Sequence, residues 1–206
     1  MQTQVTDAIL NQAVESLRQG KVVAFPTDTV YGVGADPFQP DAVRKLYHIK
    51  GRPLDKPIPI LVGSLGAVEH VARDLPPAFF ALVKQFWPGA LTLVVPARAL
   101  PPEITAGGTT VGVRMPAHPI ALELLRRFGG AIATTSANVS DAPPATNAVA
   151  VQEQLGEQIA FILDGGPTLT KVASTVLDLS VSPPRIRRHG GISAEQLSVY
   201  VNPLTE

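Results

Sequence analysis

The chain has 206 residues, the size of one domain or of one large domain with a small appendage. Hydrophobic residues make up 45% and aromatic residues only 5%, so the expected core is mostly Val, Leu, Ile and Ala. Lys and Arg together number 17, and so do Asp and Glu. This balance argues against a protein that coats nucleic acid non-specifically, but it allows a local basic pocket.

The sequence contains no cysteine, which excludes disulfides, thiolate metal ligands and cysteine nucleophiles and suits a reducing compartment. The N-terminal segment MQTQVTDAIL lacks the basic stretch and apolar core of a secretory signal. No apolar run reaches the roughly 18 residues that a membrane-spanning helix needs. We therefore expect a soluble, cytoplasmic protein.

Short apolar segments alternate with amphipathic ones along the chain. The apolar segments predict strands over 21–25, 58–62, 90–96, 110–114, 131–135, 159–163, 174–179 and 184–188. Helical spacing predicts helices over 7–19, 40–49, 64–72, 77–86, 118–130, 147–155 and 193–201. Interleaved strands and helices, with several strands apolar throughout, predict one α/β domain over residues 1–206 with a twisted mixed sheet.

The segment PTDTVYGVGADP, 26–37, is predicted as a loop that follows the first strand. Its glycines allow close approach of the backbone, and its hydroxyl groups suit a small polar ligand. The polar candidates in this loop are Thr27, Asp28, Thr29 and Tyr31. An ordinary turn stabilised by the aspartate is the alternative interpretation.

A second candidate is the loop HIKGRPLDKP, which carries Lys50, Arg52 and Lys56 beside two prolines. Only Asp55 opposes these charges locally. A bound anion such as phosphate would relieve the repulsion among three cations held on a stiff loop. A solvated basic patch is the alternative, although solvated charges need no rigid frame.

Polar side chains also follow other predicted strands. Ser136 and Asn138 come after the strand 131–135, where they can donate hydrogen bonds to phosphate or cap a helix. Arg114 ends a strand, where its guanidinium can hold a carboxylate or form a surface salt bridge. His118 is expected to start a helix rather than to catalyse.

The last third of the chain adds Ser174 and Thr175 at the start of a strand and an arginine-rich segment, RIRRHGG. Strand alternation places Arg185 and Arg187 on one face and Arg188 on the other, beside the glycine turn. Arg188 is thus the best placed of the three to reach a ligand. A charged edge strand that resists aggregation is the alternative.

Several familiar motifs are absent from the sequence. It contains no G-x-x-x-x-G-K-[ST] and no G-x-G-x-x-G after a strand, so neither a P-loop nor a Rossmann dinucleotide site is expected. It also lacks H-E-x-x-H and G-x-S-x-G, which leaves zinc catalysis and a serine nucleophile elbow unsupported.

The order of the segments is more specific than any one of them. It reads PTDTVYGVGAD, KGRPLDKPIPILV, WPGALTLVVP, VGVRMPAHP, TTSANVSDAPPAT, DGG with STVLDL, and RRHGG. This series resembles the YrdC-like family, the threonylcarbamoyl-AMP synthases, from about residue 8 to residue 199. The resemblance implies an α/β domain with a large, open, positively lined cavity, in the short form without the extra C-terminal domain.

The resemblance also implies a reaction. L-threonine, bicarbonate and ATP would give threonylcarbamoyl-AMP and diphosphate, with Mg²⁺ arriving on ATP and no dedicated metal site. The product would feed a transferase complex that modifies adenosine next to the anticodon of certain tRNAs. Such chemistry needs positioning and charge neutralisation rather than a covalent nucleophile.

By the same resemblance, Lys50 and Arg52 are the expected catalytic residues. The expected ATP-binding residues are Lys50, Arg52, Ser136, Asn138 and Arg188. The expected threonine- or carbamate-binding residues are Thr27, Thr29, Tyr31, Lys56, Arg114 and Ser174.

The chain departs from the family pattern in its last third, with Lys171 and Ala173 where a glycine and a proline are usual, and His189 where proline is frequent. Lys171 is either a further phosphate-binding residue or a solvated one. Two other functions stay open: an RNA-binding module, because a concave basic surface can hold a nucleic-acid backbone, and a paralogue with another acyl or carbamoyl acceptor.

Overall fold

The computed structural model describes residues 5–168, 170 and 172–205. The helices in these residues lie mostly where helical spacing predicted them, and the Thr6 hydroxyl caps the first by accepting from the Ile9 amide at 3.4 Å. The helices are α1 (Asp7–Arg18), α2 (Pro40–Lys50), α3 (Leu65–Val68), α4 (Pro77–Phe86), α5 (Pro102–Thr105), α6 (Pro119–Phe128), α7 (Ala148–Leu155) and α8 (Ala194–Ser198), with one 3-10 turn at Gly156–Gln158.

The strands form one sheet. They are β1 (Val23–Phe25), β2 (Gly32–Ala35), β3 (Ile60–Val62), β4 (Leu91–Pro96), β5 (Thr110–Arg114), β6 (Ala131–Ser136), β7 (Phe161–Ile162), β8 (Thr175–Asp178) and β9 (Arg185–Arg188). Their order across the sheet is β7-β1-β2-β6-β3-β5-β4-β8-β9. The β1–β7, β3–β5 and β4–β8 pairs are parallel and the other neighbours antiparallel, which confirms the predicted mixed sheet and α/β class.

Helices cover both faces of the β1 end of the sheet. Successive side chains of a strand point to opposite faces, so Val23 and Phe25 pack with α1 and α6, whereas Ala24 packs in the larger core that includes α2. The same division holds in β3, where Leu61 joins the α1 and α6 side and its neighbours join the α2 side. Short strands buried on both faces read as continuous apolar runs, and this made β1 and β3 predictable.

Towards β8, the face that α1 and α6 cover elsewhere borders a cavity. The alternate residues of β4 and β5, such as Leu93 and Val113, belong to the larger core on the opposite face. The strand register therefore places a row of residues beside the cavity, namely Leu61, Arg114, Gly112, Val94, Thr92 and Val176.

Two predictions of secondary structure were wrong. The segment 26–37 is not loop throughout, because β2 lies within it and pairs with both β1 and β6. A Cβ atom on Gly34 would lie 2.6 Å from Ile132 Cγ2 and 3.1 Å from Phe25 Cε1, so close packing requires glycine there. Because glycine is unfavourable in strands, residue propensities do not predict this strand. The short helix α5 forms where the sequence pattern predicted none.

No helix in the described ranges combines the length and the apolar character that crossing a lipid bilayer requires. Lys171, predicted as either a phosphate-binding or a solvated residue, falls outside the described residues.

Candidate ligand-binding site

A cavity of about 380 Å³ lies against the β4–β5–β8 part of the sheet. It is lined by residues from segments that lie far apart in the sequence, from Thr27 to Arg188. Most of the predicted site residues line it: Thr27, Thr29, Tyr31, Arg52, Arg114, Ser136, Ser174 and Arg188.

Arg114 lies at one corner of this cavity, and protein groups fix all three of its nitrogens. Nε donates to the Gly89 carbonyl at 2.8 Å, Nη1 to the Thr29 hydroxyl at 3.1 Å and Nη2 to Asp28 Oδ1 at 2.6 Å. The two charged side chains are 8% and 13% exposed, so this is a desolvated ion pair rather than a surface salt bridge. Burial lowers the pKa of Arg114, the Asp28 charge opposes that shift, and nearby Arg188 adds to it.

Arg52 and Arg188 form a different arrangement, because uncharged groups anchor them. Arg52 donates from Nη2 to the Pro57 carbonyl at 3.0 Å, and Arg188 donates from Nε and Nη2 to the carbonyl and hydroxyl of Ser174. No ion pair within the described residues includes either guanidinium. Burial lowers the pKa of both, and the Arg52 charge lowers that of Arg188 further. Two oriented cations that repel each other create a site for an anion.

Lys50 is buried behind the cavity and is not one of the lining residues. Its ammonium donates to the carbonyls of Ser136 and Asn138, each at 2.5 Å. The Asn138 amide donates in turn to the Val139 and Ala142 carbonyls at 2.7 and 2.8 Å. In this structure Lys50 and Asn138 therefore hold the loop that presents Ser136, rather than facing the cavity themselves.

Tyr31 and Thr27 are tied to the backbone. The Tyr31 hydroxyl donates to the Gly166 carbonyl at 2.8 Å and accepts from the Gly165 amide at 3.2 Å. Burial raises the pKa of Tyr31 to about 12, so the phenol stays protonated at neutral pH. Thr27 donates to the Val30 carbonyl at 2.6 Å, which fixes the turn that carries Thr29.

Lys56 is a predicted site residue that does not line the cavity. Its side chain is exposed, and its backbone carbonyl accepts from Arg52 Nε at 3.3 Å. His118 occupies the N-cap position of α6, as expected, but makes no side-chain cap bond. Burial lowers the pKa of His118, against the opposing charge of Asp28, so the ring is neutral at pH 7.

Two contributions to the site are not evident from the sequence. Asp28 is a polar candidate of the first loop, but its pairing with Arg114 across 86 positions, and its acceptance of a hydrogen bond from the Ala117 amide at 3.0 Å, appear only in the structure. Thr92 was read as part of an apolar strand, yet its hydroxyl lies 2.8 Å from that of Ser174. The signal for Thr92 was the single polar residue in ALTLVV, which marks one face of β4 as different.

The fold and the site together define a class: an α/β protein with a cationic, hydroxyl-lined cavity on the open part of its sheet. A family model described as "Telomere recombination" (Sua5/YciO/YrdC) matches residues 15–190. The chain belongs to this Sua5/YciO/YrdC family, as the order of its motifs predicted.

Named relatives agree with this assignment. The chain is 46% identical over 200 residues to a threonylcarbamoyl-AMP synthase of Bacillus subtilis and 43% identical over 189 residues to one of Pyrococcus abyssi. These matches cover 96% and 91% of the chain but only 58% and 56% of the relatives. A crystal structure of P. abyssi Sua5 complexed with L-threonine superposes with a TM-score of 0.92 at 42% identity, over 96% of this chain and 58% of that one.

Proposed function

We propose that the chain is a threonylcarbamoyl-AMP synthase, an ATP-dependent nucleotidyltransferase that joins L-threonine, bicarbonate and ATP and releases diphosphate. The observation that carries the proposal is one cavity holding two guanidiniums, Arg52 and Arg188, that form no ion pair with a described residue, beside a third, Arg114, that is paired with Asp28. An ATP-dependent reaction of an amino acid needs both a polyphosphate site and a carboxylate site in reach of each other. The names of the relatives support the same reaction.

In this proposal the phosphate chain of ATP binds Arg52 and Arg188. Their backbone anchors orient the remaining N–H groups and lower the cost of ordering them on binding. The Ser136 hydroxyl adds a donor without bulk, while Lys50 and Asn138 hold its loop in place. Arg52 would thereby keep its expected catalytic role, whereas Lys50 and Asn138 would act on ATP through the loop and not by direct contact.

L-threonine would occupy the other corner. The remaining N–H groups of Arg114 match a carboxylate, and the segment beside it supplies the hydroxyl groups of Thr27, Thr29 and Tyr31. Ser174, which also lines the cavity, would contribute a further hydroxyl. The L-threonine complex of the P. abyssi relative supports an amino-acid site within this fold. Lys56, on the exposed loop, would have to approach the carbamate from solvent.

The chemistry follows in two steps. The threonine amine attacks the carbon of bicarbonate and water leaves, which gives the carbamate. A carbamate oxygen then attacks the α-phosphorus of ATP, and diphosphate leaves with the electrons of the broken P–O bond. Cations fixed around the phosphates stabilise the charge that builds up in this displacement, so no covalent enzyme intermediate is required.

Mg²⁺ would enter with the nucleotide. The cavity offers hydroxyl and guanidinium groups rather than carboxylates, and the described part of the chain contains no cluster of three or more His, Asp or Glu side chains that could hold an ion. Phosphate oxygens and water would therefore supply its ligands.

The test is diphosphate release from ATP, measured with bicarbonate and a panel of amino acids. We expect release with L-threonine and much less with serine, valine or alanine. Equal release with several amino acids would favour a paralogue with another acceptor. The absence of release, together with RNA binding that falls steeply with salt, would favour the RNA-binding alternative.

The product of the proposed reaction requires a second enzyme as partner. An acyl adenylate is an activated intermediate, so a second enzyme must consume it, and we propose the transferase complex that modifies adenosine next to the anticodon of tRNA. Addition of that complex and unmodified tRNA to the reaction should move the threonylcarbamoyl group to tRNA.

A further inference from the structure

We infer that Asp28 is a specificity-determining positioning residue: by neutralising Arg114, it makes that corner of the cavity suit a zwitterionic amino acid and disfavour a bare polyanion. Asp28 is not among the cavity-lining residues, so it acts through the guanidinium it holds. The inference deepens the proposed function and rests on it for the identity of the amino acid.

The first argument is the contrast between the arginines of one cavity. Arg114 is paired with a desolvated carboxylate at 2.6 Å, whereas uncharged oxygens anchor Arg52 and Arg188. One part of the cavity thus carries two positive charges that form no ion pair with a described residue, and the other carries a charge pair with no net charge. A polyphosphate gains most at the first part, and a ligand that itself carries both signs fits the second.

The second argument is the way Asp28 is held. Its Oδ1 atom accepts both from Arg114 Nη2 and from the Ala117 amide at 3.0 Å, and its carbonyl accepts from the Thr170 hydroxyl at 2.9 Å. The carboxylate is therefore fixed from the end of strand β5 and from the segment after it, and a distant loop holds the backbone of Asp28. Without this negative charge, three cations would line one cavity and the phosphate chain could occupy either end of it.

The geometry offers a variant that removes only the charge. Both hydrogen bonds to the Asp28 side chain end on the same oxygen, Oδ1, so Asp28→Asn can keep both with its amide oxygen. Asp28→Glu keeps the charge and is the matched control. Circular dichroism and the unfolding midpoint would establish that both variants are folded.

The experiment is calorimetric titration of the parent and the two variants, once with inorganic diphosphate and once with L-threonine. For Asp28→Asn we expect diphosphate to bind about tenfold more tightly and L-threonine about tenfold more weakly, because one positive charge is uncovered at a few ångströms from the ligand. Asp28→Glu, which keeps the negative charge, should have affinities for diphosphate and L-threonine close to those of the parent.

A purely structural role predicts another pattern, in which both affinities fall together. That result, unchanged diphosphate affinity in Asp28→Asn, or a parent protein that binds diphosphate but no amino acid, would overturn the inference. The titrations need no turnover. A failure of the proposed synthase reaction with opposite shifts intact would therefore count against the reaction and not against the role of Asp28.

Discussion

Arg188 and Ser174 are joined by two hydrogen bonds, from Nε to the serine carbonyl at 3.1 Å and from Nη2 to the serine hydroxyl at 3.0 Å. They link strand β9 to the residue that opens β8, and the Ser174 hydroxyl lies 2.8 Å from that of Thr92 in β4. The orientation of this arginine is thus set by three neighbouring strands. A guanidinium held by two of its nitrogens keeps its other N–H groups directed at one place, which favours recognition of a phosphate.

Arg188→Lys should weaken ATP binding about tenfold, because an ammonium keeps the charge but cannot make the paired hydrogen bonds to Ser174. The matched control is Arg185→Ala, which removes an exposed arginine from the same strand. KM for ATP in the diphosphate-release assay and the affinity for a non-hydrolysable ATP analogue would check this. Parent-like ATP affinity in Arg188→Lys would show that general charge, and not the anchored geometry, holds the nucleotide.

Arg52→Ala should lower kcat/KM about a hundredfold or more while the protein stays folded. The side chain donates to the Lys56 and Pro57 carbonyls of its own loop, so its loss should leave the core intact. The substitution removes one of the two cavity cations that form no ion pair with a described residue. The control is Arg98→Ala, which removes an exposed arginine that does not line this cavity. Parent-like turnover in Arg52→Ala would contradict the phosphate assignment.

Because the pKa of Lys50 is lowered, alkaline pH should have opposite effects on ATP binding and on the free energy of unfolding. Burial, helped by the charge of Arg52, lowers the pKa of Lys50 from its usual 10.5 to about 8. Above pH 8 the neutral amine holds the Ser136 and Asn138 carbonyls less strongly, so ATP affinity should fall as pH rises through about 8. Lys50→Arg, which stays charged, should flatten this fall in a titration series from pH 7 to pH 9.5.

Whereas ATP affinity should fall with rising pH, the contribution of Lys50 to the free energy of unfolding should rise. Between about pH 8 and pH 10.5 the unfolded chain keeps the Lys50 proton that the folded protein has lost. The unfolded state then binds more protons, so the contribution of Lys50 to the free energy of unfolding rises with pH across this window. Urea unfolding of the parent and of Lys50→Arg at pH 7.5 and pH 10 would detect it as a pH-dependent difference between the two proteins. A difference that does not change with pH would rule out the lowered pKa.

The sequence predicted those parts of the fold whose causes are local. Apolar runs marked β1 and β3. The starts of α1 and α2 also have local causes, because Thr6 caps α1 and Pro40 is the first residue of α2. Family resemblance then singled out the cavity residues, because the order of the blocks constrains the fold more than any block does. Local spacing could not predict the partners of these residues, such as Asp28 for Arg114, since only the β-sheet register brings them together.

The direction of the Lys50 side chain could not be predicted from local spacing either. Its charge in a basic loop suggested a direct phosphate contact, but the end of α2 directs the side chain inwards, where two carbonyls accept from it. A buried ammonium must be hydrogen-bonded, and a nearby loop supplies the acceptors that solvent would otherwise supply. A sequence shows the charge of a residue but not the direction in which its element presents it.

The glycine strand β2 gives the last prediction. A Cβ atom at Gly34 would meet Ile132 Cγ2 at 2.6 Å, the Ala133 carbonyl at 3.1 Å and Phe25 at 3.1 Å, so Gly34→Ala should lower the free energy of unfolding by about 1–3 kcal/mol. Gly66→Ala is the control: it lies on the exposed side of α3, where the nearest atom is 3.9 Å away, and alanine there should be neutral or stabilise by up to about 1 kcal/mol. Urea unfolding of the two variants measures both effects. Equal stability of Gly34→Ala and the parent would mean that β1 and β6 can separate to admit a methyl group, and that close packing is not what requires glycine in this strand.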